Sequence, residues 1–141
     1  INTWLREDKI VVSNRYVCDN MAHQGGKINH STDREKFFQW LDSLEHQVFA
    51  VPRSNVNILL YVPVEIAYQL VEKKEPRAYL AGEKKDIHEE DINHMRHAQQ
   101  TFLEIAQGEK EWIIIDCTKD GALMSEQMIA DKVWYAVQDI L

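Results

Sequence analysis

Three short apolar runs constrain this chain more than any other feature: Lys9–Ser13 (KIVVS), Asn55–Val62 (NVNILLYV) and Trp112–Cys117 (WIIIDC). Their centres, Ile10–Val12, Ile58–Leu60 and Ile113–Ile115, do not alternate polar with apolar residues. A strand wetted on one face has to alternate, because successive side chains point to opposite faces. Unbroken aliphatic runs of this length suit strands covered on both faces, as in a parallel sheet. The three runs are separated by stretches of helical periodicity, and strand–helix–strand alternation is the α/β pattern. The expected architecture is therefore a parallel sheet flanked by helices.

The helical stretches carry their own boundaries. Ser31-Thr32-Asp33 offers an N-cap to Arg34–Phe49, which places Phe37, Trp40, Leu41, Leu44 and Val48 on one face. Val64–Lys74 carries Ile66, Ala67, Leu70 and Val71, and Asp91–Gln107 carries Ile92, Met95, Ala98, Phe102, Ile105 and Ala106 before Gly108, which suits a helix stop. Ser125 caps a last helix with Ile129, Val133, Trp134 and Val137 expected inward. Ile1–Leu5 reads as the last turn of a helix, and Ile1 in place of Met suggests that a segment upstream is absent. Trp40, Trp112, Trp134 and the Phe37/Phe38 pair are expected in core or interface packing. Residues 73–91 form a strongly charged connector.

At 141 residues the chain is expected to be one domain, and 45% hydrophobic content suffices for a core. A net charge of −7 argues against a general nucleic-acid binder, which needs a basic face. Cys18 and Cys117 are too few and too far apart for a disulfide framework, so a reducing, cytoplasmic setting is the default. No apolar run reaches the ~18 residues of a membrane span. Arg6, Glu7, Asp8 and Lys9 do not fit a signal peptide.

Three constellations bear chemistry. The first follows the first apolar run: Ser13-Asn14-Arg15-Tyr16, then Cys18 to Lys27 (CDNMAHQGGK). Ligands of open α/β sheets bind beyond the carboxyl ends of strands, and a guanidinium there suits a phosphate. Asn20 and Gln24 carry both donors and acceptors, as a base edge demands, and share a helix face at a spacing of four. An ordinary polar strand-to-helix turn is the alternative. Gly25-Gly26-Lys27 is not a phosphate loop, since that motif requires Gly where Met21 stands and Ser or Thr where Ile28 stands.

The second constellation is the connector, whose Lys73, Lys74, Arg77, Lys84 and Lys85 suit either a basic flap over a polyphosphate or a solvated loop balanced by acidic neighbours. The third is His88, Glu89, Asp91, His94 and His97, metal-capable residues whose spacing misses H-E-x-x-H and which suit a polar helix face. No His–Asp relay accompanies either cysteine, so neither reads as a nucleophile.

Taken together, the motifs resemble one family. Residues 14–27 (NRYVCDNMAHQGGK) are similar to the D-R-Y-x-x-S-N-x-A-Y-Q-G-x-K stretch of thymidylate kinases, and residues 51–67 (VPRSNVNILLYVPVEIA) to their L-P-x-P-D-x-x-I-x-L-D-V-P-P-E-x-A segment. Residues 84–89 (KKDIHE), the helix ending TFLEIA and the strand WIIIDC followed by TK continue the resemblance in order. It implies a P-loop kinase fold, here without the first, central strand and the P-loop, so that a slot is expected between the first two strands. The implied reaction is phosphoryl transfer from ATP to dTMP, giving dTDP, with Mg2+ accompanying ATP and a homodimer formed through helices such as 33–49. Arg15 matches the arginine on the substrate phosphate, Asn20 the reader of the thymine edge and Gln24 the glutamine beside it. His23 occupies the place of the tyrosine packed on the deoxyribose, and Asp19 lies in the same dTMP-binding group. Lys84 and Lys85 match the catalytic lid, Arg77 and Lys119 the remaining ATP contacts, and residues 73–91 the lid-like connector. Residues 1–141 would form the C-terminal part of such a domain.

Three positions depart from the family pattern. Asn14 replaces an aspartate of the magnesium shell and offers a hydrogen bond to a metal-bound water but no negative charge, Asp19 replaces a serine, and Tyr61 replaces an aspartate. A non-catalytic nucleotide- or protein-binding module built on the kinase fold, and a deoxynucleoside kinase, are the alternative readings. The 141-residue chain by itself is expected to have no kinase activity.

Overall fold

The computed structural model describes residues 1–72, 86–108 and 110–140, with the backbone alone for 72 and 86–91. Its elements are α1 (Asn2–Arg6), α2 (Val17–Gly25), α3 (Ser31–Ser43) with a π-helical turn at Leu44–Val48, β1 (Asn57–Tyr61), α4 (Val64–Glu72), α5 (Asp86–Gly108), β2 (Trp112–Asp116), β3 (Thr118–Lys119), β4 (Ala122–Leu123) and α6 (Glu126–Val137). The two longer strands pair in parallel, Asn57 opposite Trp112 through Tyr61 opposite Asp116. Helices joined to a parallel ladder make this an α/β arrangement, as the aliphatic runs predict.

The core lies among the helices. Val17, Met21 and Ala22 of α2, Leu41 of α3 and Ile105 of α5 are buried together, with Phe37, Phe38, Phe102 and Trp112 packed against them. The glycine pair at the end of α2 explains how closely these helices approach. A Cβ on Gly25 would enter the ring of Phe38, and one on Gly26 would stand 3.2 Å from the carbonyl of His97. Gly26 has φ −60°, so it is needed for space and not for a left-handed turn.

Two helix ends behave differently from each other. Ser125 caps α6 as expected, its side chain accepting from the Met128 N–H at 3.3 Å. At α3 the N-cap is His30, with no side-chain cap bond, so Ser31 is already helical. Helix α5 begins at Asp86, five residues earlier than the periodicity predicts, within the charged connector.

The expected first strand is a correction. Lys9–Ser13 pairs with no strand among the described residues. A strand exists only through ladder hydrogen bonds, and here no neighbour supplies them. Asn57 N–H donates to Glu111 C=O, and Cys117 N–H to Tyr61 C=O. Peptide groups alternate between the two edges of a strand, so those of Asn57, Leu59 and Tyr61 face β2 and those of Ile58 and Leu60 face the opposite edge. That edge is unpaired among the described residues. It opens into a cavity of about 830 Å3, whose lining includes Lys9, Ile10 and Val11 as well as Ile58 and Leu60.

Full burial of the strands is corrected too. Leu60 is 50% and Ile114 40% exposed. Helices α5 and α6 both contact β2, and α6 leaves the face that bears Leu60 partly open. Leu60, Ile129, Val133 and Trp134 line an apolar groove of about 500 Å3 there. Trp134, expected inward, is 61% exposed, and Trp40 stands outward on α3. Trp112 packs on the core.

Candidate functional site

The turn into α2 is built by a short hydrogen bond and a strained residue. Ser13 Oγ donates to the Arg15 carbonyl at 2.8 Å. Arg15 has φ +70°, a left-handed conformation that a side chain with a Cβ rarely adopts. Such residues persist where the surroundings fix them, commonly at ligand sites. Tyr16 anchors the same turn by donating its hydroxyl to the Pro52 carbonyl at 2.8 Å. Asn14, Arg15 and Asp19 all border the 830 Å3 cavity.

From Arg15 a chain of polar contacts runs down one face of α2. Arg15 Nη1 lies 3.4 Å from Asp19 Oδ2, and Asp19 Oδ1 lies 3.6 Å from His23 Nε2. His23 Nδ1 lies 3.3 Å from His94 Nε2 on α5. Phe102 meets the His23 ring edge-on at 5.9 Å. Burial lowers the His23 pKa, against the upward pull of Asp19; the charges of His94, Arg15 and Lys27 lower it further. The imidazole therefore favours its neutral form. The guanidinium of Arg15 remains largely solvent-exposed, free to meet an anion larger than the carboxylate it faces.

Asn20 and Gln24 share the neighbouring, exposed face of α2. Gln24 Oε1 accepts from Lys27 Nζ at 3.1 Å. The structure thus brings Arg15, Asp19 and His23 into one row and sets Asn20 and Gln24 beside it. The partner that sequence reasoning missed is His94, grouped by spacing with the histidines of its own helix. Only the crossing of α2 and α5 brings it to His23.

Lys119 stands apart from that row. Asp116 closes β2 by accepting from the Thr118 N–H at 2.8 Å and from the Thr118 hydroxyl at 2.7 Å, which lowers its pKa. Lys132 donates to the Asp116 carbonyl at 2.9 Å. The corner leads into a two-residue hairpin turn at Asp120-Gly121, with φ of +51° and +78°. Asp-Gly suits a type I′ turn, a sequence signal the aliphatic-run reading passed over. Lys119 is exposed on this hairpin. Tyr61, at the end of β1, uses its carbonyl to hold Cys117. Burial, reinforced by Asp116, pushes the Cys117 thiol up, which leaves it inert as a nucleophile. Arg77, Lys84, Lys85 and the rest of 73–85 lie outside the described residues.

Magnesium takes six oxygen ligands, and at nucleotide sites most of them are water and phosphate oxygens. Among the described residues no three His, Cys, Asp or Glu side chains converge, and Asn14 adds no charge. No described helix is long and apolar enough to cross a membrane.

No model of a known protein family matches the chain. Comparison with curated proteins finds similarity to a probable thymidylate kinase of Metallosphaera sedula, 26% identical over 107 residues. The match covers 74% of this chain and 49% of that protein, so the chain spans about half the length of the curated relative it matches.

Proposed function

We propose that this chain is the acceptor-binding and lid-bearing part of a nucleotide kinase that transfers a phosphoryl group from ATP to dTMP. The observation that carries the reading is Arg15, strained at φ +70° and exposed beside a cavity of nucleotide size. Its planar fork suits the phosphate of a monophosphate acceptor. Asn20 and Gln24, on the adjoining face of α2, offer donors and acceptors to a base, and His23 a ring to the sugar. Lys84, Lys85, Arg77 and Lys119 would meet ATP, whose magnesium would neutralise the phosphates. Support comes from the similarity to a probable thymidylate kinase and from the open edge of β1, where the family resemblance calls for a further strand and its phosphate loop.

In such a reaction the protein positions two phosphates and neutralises charge, with little covalent chemistry of its own. Arg15 would hold the acceptor while lid lysines meet the donor. The groups that normally cradle the β- and γ-phosphates have no counterpart in this sequence.

The test is a coupled assay of ADP and dTDP formation with the 141-residue chain and with the protein purified from its natural source. Turnover of dTMP but not thymidine by the natural protein, and none by the chain alone, is expected. Binding of dTMP without turnover in both would replace the kinase reading with a binding module.

A further inference from the structure

We propose that His23 and His94 form a two-histidine site for a zinc-class divalent ion, clipping α2 to α5. The two nitrogens that face each other, His23 Nδ1 and His94 Nε2, are 3.3 Å apart and the ring centroids 5.4 Å apart. Two imidazoles on one tetrahedral zinc, with Zn–N of about 2.05 Å, place their nitrogens about 3.3 Å and their ring centres about 5.2 Å apart. Both separations agree. The ring planes are inclined by 23°, and centroids 5.4 Å apart with facing nitrogens 3.3 Å apart bring the rings together at their nitrogen edges. As a direct N–H···N hydrogen bond, 3.3 Å is long.

The surroundings fit the same chemistry. Asp19 Oδ1 lies 3.6 Å from the far nitrogen of His23. The charge of that carboxylate favours the tautomer protonated on Nε2, which leaves the Nδ1 lone pair facing α5, as behind many metal-bound histidines. Phe102 fixes the ring edge-on. His23 is partly exposed and His94 exposed, so an ion has a route in. No third His, Cys, Asp or Glu joins the pair among the described residues, which leaves the other positions to water. Imidazole nitrogen selects zinc, copper or nickel over magnesium or calcium, which take oxygen.

This site shares His23 with the nucleotide reading but does not rest on it, and its test contains no nucleotide. Zinc sulfate is titrated into the purified protein by calorimetry, with imidazole 15N NMR as the second readout. One ion per chain is expected, with shifts confined to His23 Nδ1 and His94 Nε2. His23→Gln and His94→Gln are each expected to weaken binding at least tenfold, Asp19→Asn several-fold, and His97→Gln not at all. Should a variant unfold by circular dichroism, the NMR shifts of the unmodified protein decide alone. No heat with zinc, or binding that shifts other histidines or survives both substitutions, overturns the proposal.

Discussion

The ring of Phe38 occupies the space that a Cβ on Gly25 would need, so α2 and α3 touch where only hydrogen separates them. Phe38 packs against the buried cluster of Val17, Met21 and Leu41, and moving it disturbs the largest core the described residues have. Gly25→Ala is therefore expected to destabilise the fold by about 1–3 kcal/mol, the usual penalty for overpacking, despite the better helix propensity of alanine. Urea unfolding monitored by tryptophan fluorescence measures it. A stability equal to or above that of the unaltered protein would show that Phe38 moves aside freely.

Arg15 should display opposite effects on folding and on binding. Glycine accepts φ +70° without strain, so Arg15→Gly is expected to stabilise the turn by up to about 1 kcal/mol. The same change removes the guanidinium, and loss of a charge-assisted contact of about 1.5–3 kcal/mol weakens dTMP binding by roughly tenfold or more. Thermal denaturation and calorimetry with dTMP, run on one preparation, separate the two.

Asp19 draws on the same guanidinium, at 3.4 Å, and puts a negative charge where a phosphate is proposed. Asp19→Ser removes that competitor. Tighter binding of dTMP, by several-fold at low salt and less at high salt, is expected. Unchanged affinity at both ionic strengths would place the phosphate elsewhere.

Asp42 ties the end of α3 to the loop before β1. Both its oxygens accept from Arg53, at 2.7 Å each. The Arg53 hydrogen bond, aided by the charges of Arg53 and His46, holds the Asp42 carboxyl below its ordinary value of 3.8, although burial acts the other way. A lowered carboxyl pKa means the unfolded chain takes up protons first. The contribution of the pair is thus full above about pH 4 and fades as pH falls through the lowered value. Asp42→Asn is expected to cost about 1 kcal/mol near pH 7 and progressively less below pH 4. A loss independent of pH would count against the ion pair.

Ser125 provides a compact check on α6. Ser125→Ala removes the acceptor for the Met128 N–H and should cost about 1 kcal/mol, with Ser125→Asp restoring most of it through the same geometry. Chemical denaturation of the pair of variants reads the difference.

Several features were legible in the residues alone because they depend on local chemistry. The aliphatic runs 57–61 and 112–116 form a parallel ladder, Ser125 caps its helix, and Gly108 ends α5. Asn20 and Gln24 share a face of α2 because helical spacing fixes it. Other features depend on what a segment meets in space. Lys9–Ser13 has strand composition yet forms no strand, since a ladder requires a second backbone and none of the described residues supplies it. Trp134 follows the apolar period of α6 but points outward, because a periodicity does not state how much of a helix its neighbours cover. His94 has no sequence relation to His23, 71 positions away. Their approach comes from the packing of α2 on α5, made possible by a glycine whose missing side chain leaves room for the backbone of His97. The sequence by itself determined which segments can be helix or strand and where α2 carries its polar groups. The tertiary structure decided which of those groups meet, because contacts between distant segments are set by packing and not by spacing along the chain.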